Sequence, residues 1–257
     1  MRTLLVVALA ALPALAQREG SFQRTLSVSG PVELEVSTHS GRIAVRAGGA
    51  GAVDVRATIR ARRAEGEKYL REVEANPPIV QEGNTIRITS LRDEEIRRHL
   101  SIDYEVTAPA ETRLRANSGS GGVTIQGLRG PVHANTGSGR IELSAIQEGA
   151  TANTGSGGIT GAALGGAITA RSGSGDVRIE QTTPHGVSVV TGSGEVEVKL
   201  PASGGFDLKL RTGSGQANVT QPIALEGGVN HGSLRGKIRG GGIPVEITTG
   251  SGSIRIL

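Results

Sequence analysis

From residue 114 onward, apolar residues recur at fixed distances from a Gly-Ser-Gly tripeptide, which stands at 119–121, 137–139, 155–157, 173–175, 192–194, 213–215 and 250–252. Five positions before its first glycine come Leu114, Val132, Ala150, Ile168, Val187, Leu208 and Val245. Three before it come Ala116, Ala134, Ala152, Ala170, Val189, Leu210 and Ile247. Four after it come Val123, Ile141, Ile159, Val177, Val196, Ala217 and Ile254. Six after it come Ile125, Leu143, Ile179, Val198, Val219 and Ile256, with Gly161 the one departure. Polar residues such as Arg115, His133, Thr151 and Thr169 stand between. Alternation of period two on both sides of the tripeptide predicts two short strands per repeat.

The first glycines are 18, 18, 18, 19 and 21 residues apart, and counting Gly232-Ser233-Leu234 as a degenerate copy adds intervals of 19 and 18. Self-similarity at such a period marks a solenoid. The nearest inward positions on the two sides of the turn are seven residues apart. An odd separation cannot keep both on one face of a straight strand, so the chain must bend at the tripeptide. Glycine suits the bend because it takes positive φ readily. Stacked copies place like residues over like at about 4.8 Å per rung. The expected fold is all-β: a single-stranded parallel β-solenoid (a right-handed β-helix) with about 18–21 residues per coil. Its narrow aliphatic core leaves little room for aromatics, and the chain has four: Phe22, Tyr69, Tyr104 and Phe206.

Residues 17–116 are less regular and read as a β-rich N-terminal cap, continuous with the 117–257 repeat solenoid and covering its first rung. Thr38-His39-Ser40-Gly41-Arg42-Ile43-Ala44-Val45 reads as a decayed rung with His39 in place of the first glycine. Strands are expected over 53–59 and 101–107, a helix over 64–75, and a hairpin of 79–81 with 85–89 around Glu82-Gly83-Asn84. Solenoids need such caps because an open end is an unpaired strand edge. The last rung, 253–257, has no sequence after it, so self-association or docking is expected through that C-terminal edge strand.

Residues 1–16 have a short basic start, an apolar run over 4–12, and Pro13-Ala14-Leu15-Ala16, with small residues at the Ala-x-Ala positions. This is the layout of a secretory signal, with cleavage expected after Ala16. No cysteine follows to take a lipid anchor, so the product is expected free in the periplasm, secreted or at the cell surface. The absence of cysteine excludes disulfide scaffolds, thiolate metal sites and cysteine nucleophiles. No apolar stretch is long enough to span a bilayer. Residues 17–116 carry 16 Lys+Arg against 15 Asp+Glu, and 117–257 carry 11 against 9. Charge this balanced, with so few aromatics, argues against nucleic-acid binding.

The chemistry-bearing candidates are sparse. Gly-Ser-Gly is not followed by a helix, so it reads as a turn and not a phosphate cradle. Only one copy places an acid directly after the motif as aspartate, at Asp176, which argues against a calcium ladder. Two hydroxyl columns run along the repeat: Ser118, Thr136, Thr154, Ser172, Thr191, Thr212 and Thr249 (with Asn230 in the degenerate copy), and the serine column from Ser120 to Ser251. Such ladders can bind ice or glycans, but are expected here to satisfy the turns. His39, His99, His133, His185 and His231 show no metal-ligand spacing, and His99 is expected in a charged loop. Asp176 and Glu195 form the best acidic pair, in one outward column with backbones about 5 Å apart. Carboxylates about 5–5.5 Å apart serve retaining glycosidases. Arg178 and Glu197 share their face. Outward solenoid positions are solvated and routinely charged, so no catalytic, cofactor-binding or metal-ligating residue is assigned and no cofactor is expected.

Three segments together carry a family resemblance: Val-Glu-Leu-Glu-Val-Ser-Thr-His-Ser-Gly-Arg-Ile-Ala-Val at 32–45, Ile-Asp-Tyr-Glu-Val-Thr-Ala-Pro-Ala at 102–110, and the Thr-Gly-Ser-Gly-x-Ile rungs. The chain resembles the bacterial exported adhesin-like family of unknown function. The resemblance implies a β-solenoid envelope protein and supplies no catalytic residue. The function expected is a non-enzymatic adhesin-like binding or structural module of the cell envelope, its partner an envelope protein or glycan. Two alternatives are a carbohydrate-active solenoid enzyme (polysaccharide hydrolase or lyase) and an envelope regulatory protein acting through protein–protein contacts.

Overall fold

Period-two alternation becomes strand wherever the sequence carries it. In the computed structural model, which describes residues 19–226 and 232–257, the chain opens with β1 (Glu19–Ser27), β2 (Val32–Thr38), β3 (Ile43–Gly48) and β4 (Ala52–Ala61). A single 3-10 turn leads into α1 (Glu67–Ala75), the hairpin β5 (Ile79–Glu82) and β6 (Thr85–Ile88), α2 (Glu94–His99) and β7 (Leu100–Pro109). Strand pairs then follow at each Gly-Ser-Gly: β8 (Thr112–Ser118) and β9 (Val123–Gln126), β10 (Val132–Thr136) and β11 (Ile141–Ser144), β12 (Gly149–Thr154) and β13 (Ile159–Leu164). They continue through β14 (Ala167–Ser174) and β15 (Val177–Gln181), β16 (Val187–Ser193) and β17 (Val196–Lys199), β18 (Phe206–Ser214) and β19 (Ala217–Val219). The chain closes with β20 (Ala224–Leu225), β21 (Ser233–Ile238), β22 (Ile243–Ser251) and β23 (Ile254–Ile256). The signal expected at 1–16, and with it Asn230 and His231, lie outside the described residues.

The strands form two large, mostly parallel sheets. One half of each repeat joins each sheet. Along the middle, pairing follows the repeat's own spacing: Val132 lies beside Leu114 and Ala150, and Ile141 beside Val123 and Ile159. The inward residues of both sheets make one core. Every apolar member of the four columns is at most 5% exposed, except Ala217 and Val219 in the short strand β19. The two most deeply buried aromatics, Tyr104 on β7 and Phe206 on β18, lie toward the two ends of the stack, each strand third from the edge of its sheet, while the middle of the stack is aliphatic.

Order in space departs from order in sequence at both ends. The decayed rung of β2 and β3 does stack on β8 and β9, with Val36 beside Ala116 and Ile43 beside Val123. Beyond it lie β6 and β7, which come later in the chain, and then β4, β1 and β5. At the other end β22 lies between β16 and β18, and β23 between β17 and β19. Ile254 therefore pairs with Val196 on one side and Ala217 on the other. The C-terminal strand is interior, which removes the basis for self-association through it. The copy at 232–234 is no rung either: it opens β21, which runs antiparallel to β18. Both departures have one physical reason. A sequential stack would end on a long open edge, whereas this order leaves β19 and β20, three and two residues long, as the C-terminal edges.

Two local expectations are also corrected. His99 ends the helix α2 and does not lie in a loop. Glycine's positive φ operates only in some turns: Gly194 and Gly252 adopt φ of 151° and 137°, while Gly139 and Gly157 do not enter that region. There the requirement is space. A Cβ on Gly139 would lie 2.1 Å from the carbonyl oxygen of Gly121 on the rung below.

Candidate functional site

The repeat's hydroxyls face the bend, and their bonds are explicit. Thr136 Oγ1 donates to the Gly121 carbonyl at 2.8 Å, Thr154 to Gly139 at 2.9 Å, and Ser172 to Gly157 at 2.9 Å. The Thr136 and Thr154 hydroxyls also accept the turn amides of Gly139 and Gly157, each at 3.1 Å. Where the spatial order changes, the ladder follows it: Thr249 reaches Gly194 at 3.2 Å and Thr212 reaches Gly252 at 2.8 Å. This column is buried, so it binds rung to rung and offers nothing to a ligand. The serine column from Ser120 to Ser251 is exposed along the turn ridge, except for Ser233, which is half-buried at the start of β21. Beside it runs an asparagine ladder absent from the sequence-based expectations, in which Asn153 donates to Asn135 at 2.8 Å and Asn135 to Asn117 at 2.9 Å.

The acidic pair is engaged in structure. Asp176 Oδ1 accepts the backbone N–H of Glu195 at 3.0 Å, and its Oδ2 meets Arg178 at 3.1 Å. Glu197 pairs with Arg255 at 3.0 Å, and Glu180 with Lys199 at 2.7 Å. These are exposed cross-strand pairs, each worth about 0–1 kcal/mol. Asp176 is half-buried and Glu195 exposed at the turn. The structure brings the four predicted side chains to one face and gives them the bonding of a charged surface.

The described histidines do not converge. His39 is exposed at a turn, His133 lies half-buried on β10, and His185 Nδ1 contacts the Thr183 hydroxyl at 3.2 Å. His99 stacks on Tyr69 with ring centroids 5.8 Å apart. A pocket of about 410 Å³ opens beside it, lined by Arg62, Arg63, Arg98 and His99. The Arg62-Arg63 and Arg97-Arg98 doublets are visible in the sequence, but their convergence needs β4 and α2 to be juxtaposed. A second pocket, about 390 Å³ on the outer face of β1, β4 and β7, has mixed charge, with Arg60 paired to Asp103 and to Glu19 at 2.9 Å. Below it Tyr104 is buried, which pushes its phenol well above the ordinary 10.0, and its ring meets Phe22 edge-on at 6.4 Å.

Two mostly parallel sheets closed over an aliphatic core, with hydroxyls bonding rung to rung, define a solenoid-like repeat protein. The family model described as Toastrack DUF4097 matches residues 32–257, and the chain belongs to that family. No curated protein matches it. Among solved structures, it is similar to a provisionally named cell adhesion protein from Clostridium sporogenes, at 14% identity over 92% of this chain and 99% of that one, TM-score 0.37. A provisionally named adhesin from Bacteroides fragilis matches at 12% identity over 93% and 97%, TM-score 0.45. A provisionally named lipid binding protein from Parabacteroides distasonis matches at 13% identity over 92% and 96%, TM-score 0.31.

Proposed function

We propose that the chain is a non-enzymatic, adhesin-like binding or structural module of the cell envelope, exported by the signal at 1–16. The observation that carries this is where the polar groups of the repeat go. Its buried hydroxyls bond the rungs together, and its best acidic pair is tied to a backbone amide and an arginine. What the repeat presents outward is a long polar and charged face with no aromatic at Asp176 or Glu195 to hold a sugar ring. With this goes a cap at 17–116 and a repeat body at 117–257 wound as a right-handed coil of about 18–21 residues. Among the described residues no helix is long and apolar enough to cross a membrane.

Fractionation of the native host with N-terminal sequencing of the mature product tests export, the expected first residue being Gln17. A chain retaining Met1 in the cytosol would defeat the envelope reading. Incubation with a polysaccharide panel tests the rest, and no turnover above buffer is expected. Cleavage that disappears in an Asp176→Asn, Glu195→Gln double variant of unchanged melting temperature would replace the module with an enzyme.

A further inference from the structure

The pocket of Arg62, Arg63, Arg98 and His99 is lined by basic side chains alone. Its walls are held in place. The backbone N–H of Arg62 donates to the His99 carbonyl at 2.9 Å, which fixes the end of β4 against the end of α2. Arg62 Nη2 donates to the Ser40 hydroxyl at 2.5 Å, and the His99 ring lies against Tyr69, whose hydroxyl donates to Glu95 at 2.6 Å.

The charges are left largely uncompensated. The Arg63 guanidinium has no hydrogen-bond or ion-pair partner among the described residues. Arg98 meets only Glu94, four residues back on α2, and both side chains of that pair are more than 60% exposed. Such a pair contributes little and yields readily to a better acceptor. A helix C-terminus accounts for basic residues at 97–99. It does not account for Arg62 and Arg63, which come from the end of a strand and converge on the same space.

We propose that this pocket binds a phosphate-class oxyanion. Each guanidinium presents a planar fork of donors suited to paired oxygens, and His99 adds a ring N–H. Three forks from two directions exceed what the two oxygens of a carboxylate can accept. The three or more oxygens of a phosphate group match them. A soluble phosphate ester and the headgroup of an anionic lipid present the same chemistry. The pocket's affinity for a free anion does not depend on the envelope reading above; only the natural source of the anion does.

Calorimetric titration of the full chain with inorganic pyrophosphate at low salt is the direct test, and saturable binding at one site is expected. An Arg63→Gln, Arg98→Gln double variant should bind about tenfold or more weakly, because each change removes charge-assisted bonds. An Arg63→Lys, Arg98→Lys variant should recover only part, having charge without the fork. The control Arg178→Gln, Arg255→Gln, with the same change in net charge, should bind like the parent. Flotation with phosphatidylcholine vesicles carrying phosphatidic acid separates the sources: vesicle binding that is lost in the Arg63, Arg98 variant assigns the lipid headgroup, and pyrophosphate binding alone assigns a soluble ester. Absence of saturable binding to both probes overturns the proposal. So does equal weakening by the control, which would reduce the effect to net charge, or parent-like binding by the double glutamine variant.

Discussion

Thr154 shows why the repeat keeps a hydroxyl beside each turn. Its Oγ1 gives its proton to the Gly139 carbonyl below and takes the Gly157 amide of its own turn, in a position only 7% exposed. Valine has nearly the same shape and neither bond. Thr154→Val should therefore leave a buried carbonyl and a buried amide unmatched, at about 1–3 kcal/mol for each group. Thr154→Ser keeps both bonds and should stay within about 1 kcal/mol of the parent. Urea unfolding of the two variants decides the point, and equal stability would mean that water satisfies the turn. The column was legible in the sequence as a structural ladder because its residue type never leaves Ser or Thr in the intact copies. Its partners were not legible, since the acceptor belongs to another rung and residue spacing does not name it.

Strand β13 contains the one break in the inward pattern, and the structure explains it. Gly161 sits where the other repeats place Ile, Leu or Val, and a Cβ there would lie 2.5 Å from Leu164 Cδ1. Leu164, fully buried, fills the missing side chain's space from three residues on. Reaching that point requires a register shift against β15 between Gly161 and Leu164, and a φ of 53° at Ala163. Leu164→Ala should destabilise by about 2–5 kcal/mol through the cavity it opens. Gly161→Val alone should destabilise by overpacking, by about 1–3 kcal/mol. The two together should be less harmful than their sum, because the new valine occupies the vacated space. Strict additivity in the double-mutant cycle would show that the two side chains do not share a site. Helix α2 went unread for a different reason. Asp93 caps it by accepting from Glu95 and Ile96, acids open it and Arg97-Arg98-His99 close it, but six residues are too few for a helical period to emerge.

The two ends of the chain are where periodicity stops being informative, because every rung carries the same inward columns and any rung can stack on any other. Sequence order was the natural default, and it holds from β8 through β17. It fails where the alternative hides an edge: β22 and β23 enter between rungs that are consecutive in sequence, placing Val245 beside Val187 on one side and Leu208 on the other. Removing the C-terminus is therefore not trimming. In a sequentially wound rod, loss of 241–257 would remove one terminal rung and expose the next. Here it removes both neighbours' parallel partner and detaches β18 and β19 from the stack. Deleting the interior period 138–155 instead preserves every inward column and should leave a shorter protein that melts cooperatively. Hydrogen exchange on both deletion variants distinguishes the cases. The interior deletion should keep slow amides at 206–219, and the C-terminal truncation should lose them while residues 112–181 stay protected. Slow exchange at 206–219 in the truncated chain would mean that β18 docks directly on β16, 21 residues earlier in repeat spacing, and that the inserted order is not required for the fold. The same geometry makes the docking of β18 wait for β22, its parallel partner, so assembly of these non-local strand pairs should be a late step of folding.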